Sequence, residues 1–444
     1  MNLFSAVLTV LLASPAVAAA PDASARKADS VIGRFFSSDW AQADAAAAPA
    51  PATPKSVAPD PDRPVQDRHE QVAHMGITRV AYLYYISRYD GGELSSYIGD
   101  TNGLKPVSDT PTNVVAGCYD EDEAHQNPWN QLMPYLRHYW DARKGPFHGL
   151  WGHDSSVNRA QKYFTGGYGL GGKYDRGWGS KETKGHGILW HYRNGDKALA
   201  YWYLGHAAHL LEDATVPAHV LLYPHPFKND AYETYMWHHY HEWEHMTPSG
   251  EIASYDSLFE LFSHTANVTN NYDAGTGEGI FGRDGTKDRG RRRKGGFTEA
   301  ELREEGDTLM PLAYQRTAEL YRHFFQLIDH VPPRVSLVYP RSSDAGAPDV
   351  TADSRVTLSA HAVDDVSGVD RRGYRFEYAI GAETGWSEWR VVSAEPTSEK
   401  TDFSVEAGRR YAFRVSAVDA AGNRAVSKAG YLTVAPAAAV ASAR

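Results

Sequence analysis

Three stretches of the chain place apolar residues at helical spacing. From near Arg68, the residues Val72, Ile77, Val80, Ala81 and Tyr84 fall on one side, as positions three and four apart on a helix do. A second stretch opens at Asp196, a residue type that caps helix starts, and runs through Leu211. A third takes Pro311 in its first turn and carries Leu312, Leu320, Phe324 and Leu327 to about Ile328. No alternating pattern separates them, so residues 65–331 read as an all-α domain. Pro332-Pro333 then breaks the chain and the period changes. Residues 335–339, 356–363, 374–380, 386–392, 403–405, 411–418 and 431–434 form short β-rich runs divided by Gly, Pro and Asp. Their number and spacing predict an immunoglobulin- or fibronectin-like sandwich over 332–436, followed by an Ala-rich tail over 437–444.

The first residues differ from both parts. An apolar run over 3–12 followed by Ala16-Val17-Ala18 reads as a secretory signal over 1–18, although no Lys or Arg precedes it. Residues 19–64 are Ala/Pro-rich with almost no large apolar side chains, the composition of a linker or propeptide. No other segment is long and apolar enough to span a bilayer. The expectation is an exported, soluble protein, extracellular or periplasmic.

Composition narrows the chemistry. A formal net charge of −10 gives no general affinity for nucleic acid through a basic body. Cys118 is the single cysteine, which rules out an intramolecular disulfide and a cysteine-based zinc site. The 20 histidines favour metal binding. Within GHAAHLLEDATVPAH, His209 and Asp213 are four apart and share a helix face, and Pro217 ends the helix and turns His219 back toward it. Imidazole and carboxylate together suit zinc. A polar pair on a helix is ordinarily a solvated face, but this one continues the helix that carries the apolar run 199–204. His238 and Glu242 repeat the spacing in MWHHYHEWEHM, where His241 and His245 have it as well. His138 sits between aromatics, Asp122 lies in an acidic run of the kind that is usually solvated, and His74 starts an apolar stripe.

Taken in order, His74, Gly117-x-x-x-Glu121-Asp122, His138-Tyr139-Trp140-Asp141, His209-x-x-x-Asp213-x-x-x-Pro217-x-His219 and His238-x-x-x-Glu242 resemble the bacterial zinc-dependent phospholipases C, relatives of fungal zinc nucleases. The resemblance covers roughly residues 66–330. It implies an all-α fold that clusters two to three zinc ions. Asp122, His138 and His209 would hold one ion. Asp213 would bridge it to a second ion shared with His74, and His219, His238 and Glu242 would hold a third. Phosphodiester hydrolysis needs a metal-activated water and relief of phosphate charge. Asp122 is the candidate catalytic residue, orienting or deprotonating that water. The family completes its site with a mature N-terminal Trp. Here signal cleavage would expose Ala19, and Trp40 lies further from His74 than the family's spacing; Glu70, four residues before His74, is an alternative ligand.

The expected function is therefore hydrolysis of phospholipid head groups, with peripheral contact at a membrane surface and no stable nucleic-acid partner. A single-strand nuclease of the same superfamily is the second reading, and a non-catalytic metal-stabilised binding protein the third. Gly167–Lys173 approaches a phosphate-loop pattern but offers Tyr174 where Ser or Thr is needed, and reads as a glycine-aromatic loop at the site entrance. Residues 289–294, RGRRRK, read as a solvated loop able to meet phosphates. Asp364-Asp365 and Asp419 to Asn423 read as strand-end turns, where calcium is conceivable but tight turns suffice.

Overall fold

Helix α6 (Lys197–Asp213) is apolar nearly all round, and every residue from Leu199 to Asp213 is buried. A helix with no polar face must be enclosed by others. Around it pack α1 (Glu70–Arg88), α3 (Val114–Glu123), α4 (Ser156–Thr165), α5 (Ile188–Arg193) and α10 (Glu299–Ile328). A computed structural model describes residues 70–99, 113–123, 136–145, 148–150, 154–166, 185–223, 230–248, 250–272, 274 and 297–436, all within one compact unit, Pro51–Arg444. The signal segment, Trp40, the 167–173 loop and the 289–294 basic run lie outside the described residues. Shorter helices complete the part: α2 (Leu94–Tyr97), α7 (Pro217–Val220), α8 (Ala231–His239) and α9 (Leu258–Thr269).

Two glycines set the central crossing. A Cβ on Gly117 of α3 would lie 1.8 Å from the Trp202 carbonyl oxygen, and one on Gly205 of α6 would lie 2.0 Å from that of Val114. The two backbones are therefore in direct contact, which brings the C-terminal ends of α3 and α6, with Asp122 and His209, side by side.

Two helix boundaries differ from the sequence expectation. α6 begins at its Asp196 cap as expected, but it stops at Asp213, and Pro217 opens the separate turn α7. Here Pro217 occupies the first helical position, where its missing N–H costs nothing. α10 starts not at Pro311 but at Thr298, whose side chain and that of Glu301 form a reciprocal capping box. Pro311 lies inside α10; the rung it deletes frees the carbonyl of Asp307, an exposed residue.

Beyond Ile328 the described elements are all strands: β1 (Arg334–Tyr339), β2 (Asp349–Thr351), β3 (Arg355–Val363), β4 (Arg375–Ala382), β5 (Gly385–Trp386), β6 (Arg390–Val391), β7 (Lys400–Ser404), β8 (Arg410–Val418), β9 (Arg424–Val426) and β10 (Gly430–Val434). One sheet has the order β1-β3-β7; the other runs β2-β10-β8-β4-β5, with β6 on β4 and β9 on β8. Val356, Leu358 and Ala360 of β3 meet Phe413, Val415 and Ala417 of β8 in the core between them. The expected single run over 386–392 is split into β5 and β6, and the three-residue strands β2 and β9 are additions. Turns of this β part reach the helical core: Ala420 is buried in it, and Tyr85 of α1 donates its hydroxyl to the Ser367 carbonyl at 2.8 Å.

Candidate metal centre

Four histidines and two aspartates converge at the C-terminal end of α6. His209 presents Nε2 to Asp122 Oδ1 at 3.6 Å and to Asp213 Oδ2 at 3.7 Å. His74, from α1, stacks on His209 with ring centroids 4.0 Å apart and places Nε2 3.6 Å from Asp213 Oδ1. His138 brings Nδ1 to 2.9 Å from Asp213 Oδ2 and 3.8 Å from Asp122 Oδ1. His219, on α7, lies 3.6 Å from Asp213 Oδ1. Asp213 thus faces all four rings. These residues form two sets with the donor spacing of a metal site, His74–His209–Asp213 and Asp122–His138–His209.

The nitrogens that point away are tied down. His74 Nδ1 is 2.9 Å from Glu212 Oε2, and His209 Nδ1 is 2.9 Å from the Cys118 carbonyl oxygen. His219 differs: its Nδ1, which faces Asp213, is also 3.1 Å from the His138 carbonyl oxygen, and its Nε2 points away to Glu233 at 2.9 Å. For His74 and His209 in the neutral form, a proton held on Nδ1 by an oxygen acceptor leaves Nε2 as the lone-pair nitrogen facing inward, the usual way a protein orients metal-binding imidazoles. Glu212 is itself fixed from two other helices by Thr78 Oγ1 at 2.9 Å and Thr317 Oγ1 at 3.3 Å.

The donors fit zinc. Ligands about 2.0–2.1 Å from a tetrahedral ion stand about 3.3 Å from one another. The 3.6–3.8 Å separations of His74 and His209 from Asp213, and of His138 and His209 from Asp122, are close to that spacing and too long for hydrogen bonds; only His138 stands at hydrogen-bond distance from Asp213, 2.9 Å. Asp213 Oδ2 is buried, and the one group at hydrogen-bond distance from it is His138 Nδ1 at 2.9 Å. Burial alone would lower the pKa of His74, but the Glu212 bond and the Asp213 charge raise it to about 9. Burial likewise opposes protonation of His219, yet Asp213 and Glu233 raise it to about 10. Asp213 is held far below the usual carboxylate range, because His219, His209 and His138 together outweigh its burial. The field is anionic and enclosed, and it attracts cations.

His238 and Glu242 do not join this cluster. His238 is exposed and stacked on Trp237; Glu242 is 2.7 Å from His239 Nδ1 and 2.9 Å from Arg303. The reason is local: α8 ends at His239 and a tighter turn follows over 240–242, so the 238/242 spacing does not describe one helix face. The carboxylate at His219 is Glu233, with Oε1 2.9 Å from Nε2. Its sequence signal, Asp230 followed by Glu233, reads equally as a helix start, and Asp230 does cap α8. Glu70 opens α1, but its side chain lies outside the described set.

Residues Asp120 to Asp122 of the acidic run of α3 are not fully solvated. Asp120 accepts from Trp202 Nε1 at 2.9 Å, Glu121 is buried, and Asp122 is half-exposed at the mouth of the cluster. Glu121 accepts from the Tyr163 hydroxyl and contacts His206 Nδ1, with Arg159 Nε 3.8 Å away. Burial would raise its pKa, but His206 and Arg159 hold it well below the ordinary carboxylate range. Sequence reasoning gave no role to Glu121, though it stands in the motif, nor to Glu212, and missed Glu233. For Glu212 and its neighbour His206 a signal was present: both lie in the same apolar helix as His209, where any ionisable group needs a partner.

No protein-family model matches the chain, and no curated protein matches it. Among solved structures it aligns with the α-toxin of an avian strain of Clostridium perfringens at 11% identity and a TM-score of 0.31, covering 82% of this chain and 96% of that one. The α-toxin of Clostridium absonum aligns at 11% identity and 0.32, covering 79% and 91%. No described helix is long and apolar enough to cross a membrane.

Proposed function

We propose that the helical part, residues 65–331, is a zinc-dependent phosphoric diester hydrolase of the phospholipase C type, exported through residues 1–18 and acting on phospholipid head groups. The observation that supports it is the convergence of His74, Asp122, His138, His209 and Asp213 at metal-ligand spacing, with the outward Nδ1 atoms of His74 and His209 anchored and His219 beside Asp213. In this reading Asp122, His138 and His209 would hold one ion, Asp213 and His74 would serve a second, and His219 with Glu233, in place of His238 and Glu242, would hold a third. Zinc in such a site supplies a hydroxide near neutral pH and positive charge for the phosphate oxygens.

The chain's own residues do the rest. Asp122 is the most open carboxylate of the cluster, its side chain 22% exposed against 2% for Asp213, so it is the one that can meet substrate, orient the attacking water and accept its proton. Asp213, enclosed by four imidazoles, stays ionised and acts as an anchor. Glu212 and the Cys118 carbonyl hold His74 and His209 in one orientation, so the donors need not reorganise. The immunoglobulin-like reading of residues 332–436 remains part of the proposal, with no catalytic role.

The test is metal analysis of the purified protein together with assays on phosphatidylcholine, a soluble phosphodiester and single-stranded DNA. Bound zinc and hydrolysis of the first two, both lost in Asp213→Asn, is the expected result. Cleavage of DNA alone would select the nuclease reading, and zinc without hydrolysis the binding scaffold. Asp213→Asn with full zinc and full activity would refute the site.

A further inference from the structure

Away from the histidine cluster, three aspartates meet where the helical part gives way to the β part. Asp329 is the C-cap of α10, Asp364 follows β3 and Asp419 follows β8. Each offers a carboxylate oxygen within 4.8 Å of the other two. Asp329 and Asp419 are only 3% and 1% exposed.

Their hydrogen bonds leave the charge uncompensated. Asp364 Oδ1 accepts the backbone N–H groups of Val366, Ser367 and Gly368 at 3.0, 2.8 and 3.1 Å. The two oxygens of Asp419 accept from Asn423, through its backbone N–H at 2.8 Å and its amide at 2.9 Å. Asp329 Oδ1 accepts from the Val331 N–H at 3.0 Å, but its Oδ2 is buried with no partner. All these donors are neutral. Arg322, which reaches this junction, donates Nε to the Ala420 carbonyl and Nη1 to that of Ile252. Among the described residues no Lys, Arg or His forms an ion pair with any of the three. Burial, together with the charges of Asp329 and Asp364, raises Asp419 to about 6 against the bonds from Asn423.

Carboxylates gathered in a buried place need a counter-charge. Zinc prefers nitrogen and sulfur donors, whereas an all-oxygen set suits a hard cation. Magnesium demands near-ideal octahedral geometry, which oxygens already tied to turn N–H groups do not offer; calcium accepts irregular oxygen sets. We propose that Asp329, Asp364 and Asp419 bind a calcium ion that ties the end of α10 to the two turns of the β part. Elsewhere the two parts are joined by the Arg88–Asp370 ion pair at 2.9 Å, but beside the three aspartates the contact is neutral, the Asn423 amide to the Asp329 carbonyl at 3.1 Å. The site is independent of the zinc reading.

The test uses the full-length purified protein, zinc-loaded and freed of calcium on a chelating resin, with zinc content followed in parallel. Calcium is titrated while thermal unfolding is recorded and binding is measured by calorimetry. Saturable binding of one ion is expected, with a rise in Tm of roughly 5 °C at a hundredfold excess over Kd. Asp364→Asn retains an oxygen for the three N–H groups, so it should fold, keep its zinc and lose the calcium response. Asp329→Asn should do the same with a calcium-free Tm no lower than wild type, since one of three crowded charges is gone. An unresponsive wild-type protein whose Tm instead rises as pH falls from above 6 toward 4 would show a proton balancing the charges and overturn the proposal. An equal response to magnesium, or full response in both variants, would overturn it too.

Discussion

Gly117→Ala probes the crossing on which the candidate centre depends. The added methyl would sit 1.8 Å from the Trp202 carbonyl oxygen, 2.7 Å from its carbonyl carbon and 3.1 Å from its Cα. These are backbone atoms of a buried helix, so no side chain can swing aside. Reaching the 3.4 Å of ordinary contact requires α3 to retreat from α6 by about 1.6 Å. Asp122 rides on α3 and His209 on α6, so their 3.6 Å separation would open toward roughly 5 Å if the retreat is along that line. Ala is better than Gly in a helix interior by about 1 kcal/mol, which opposes the effect. Overpacking costs about 1–3 kcal/mol where side chains can relax and more where they cannot. A net loss of about 2–3 kcal/mol follows, a fall in Tm of roughly 5–10 °C for a part of this size. Zinc per chain should fall with it. Melting followed by circular dichroism, zinc analysis and phosphodiester hydrolysis measure the three consequences. Gly195→Ala is the control: its Cβ meets nothing within 4 Å, so the strain of a positive φ of 85° should lower Tm and leave zinc content unchanged. A Gly117→Ala protein with wild-type zinc and rate would refute the claim that this contact sets the spacing of Asp122 and His209.

Two other substitutions separate ligands from their neighbours. Glu233→Gln should reduce zinc content and hydrolysis far more than Glu242→Gln, because the His219 ring faces the first and an exposed Arg303 the second; the reverse order on metal analysis would restore the 238/242 pair. Glu212→Gln keeps shape but removes the charge that orients His74, and should weaken zinc binding by about 10–100-fold in a competitive chelator titration. Unchanged affinity would show that Thr78, Thr317 and packing alone hold the ring.

How much of this was legible in the sequence depended on whether a signal was local. His209, Asp213 and His219 are close in the chain, and α6 is so apolar that polar residues within it had to be doing something specific. The Asp196 cap, the break at Pro332-Pro333 and most β runs were equally local. Glu233 was not, because an acidic residue in the first turn of a helix is explained by the helix itself. Glu121 and Asp122 were obscured by their own neighbours: four consecutive acids look like a solvated surface, and only the packing of α3 against α6 shows that they face different surroundings. The start of α10 was hidden by Pro311, a stronger punctuation mark than the Thr298 and Glu301 pair, yet the weaker signal prevailed.

The same comparison bears on what the buried charges are for. A helix that only needed to fill a core would have no use for His206, His209, Glu212 and Asp213 on its last two turns, since each must be compensated at a cost that apolar side chains avoid. Here every one is engaged: His206 with Glu121, Glu212 with His74 and two threonines, His209 with the Cys118 carbonyl, and Asp213 with four imidazoles. The partners come from α1, α3, α7, α10 and the segment around His138, so the compensation is built from most of the helical part. Such an arrangement stabilises the fold no better than packed leucines would. What it adds is a fixed direction for His74 and His209 and a carboxylate held ionised between them and His138, which is what a site that must grip divalent cations requires.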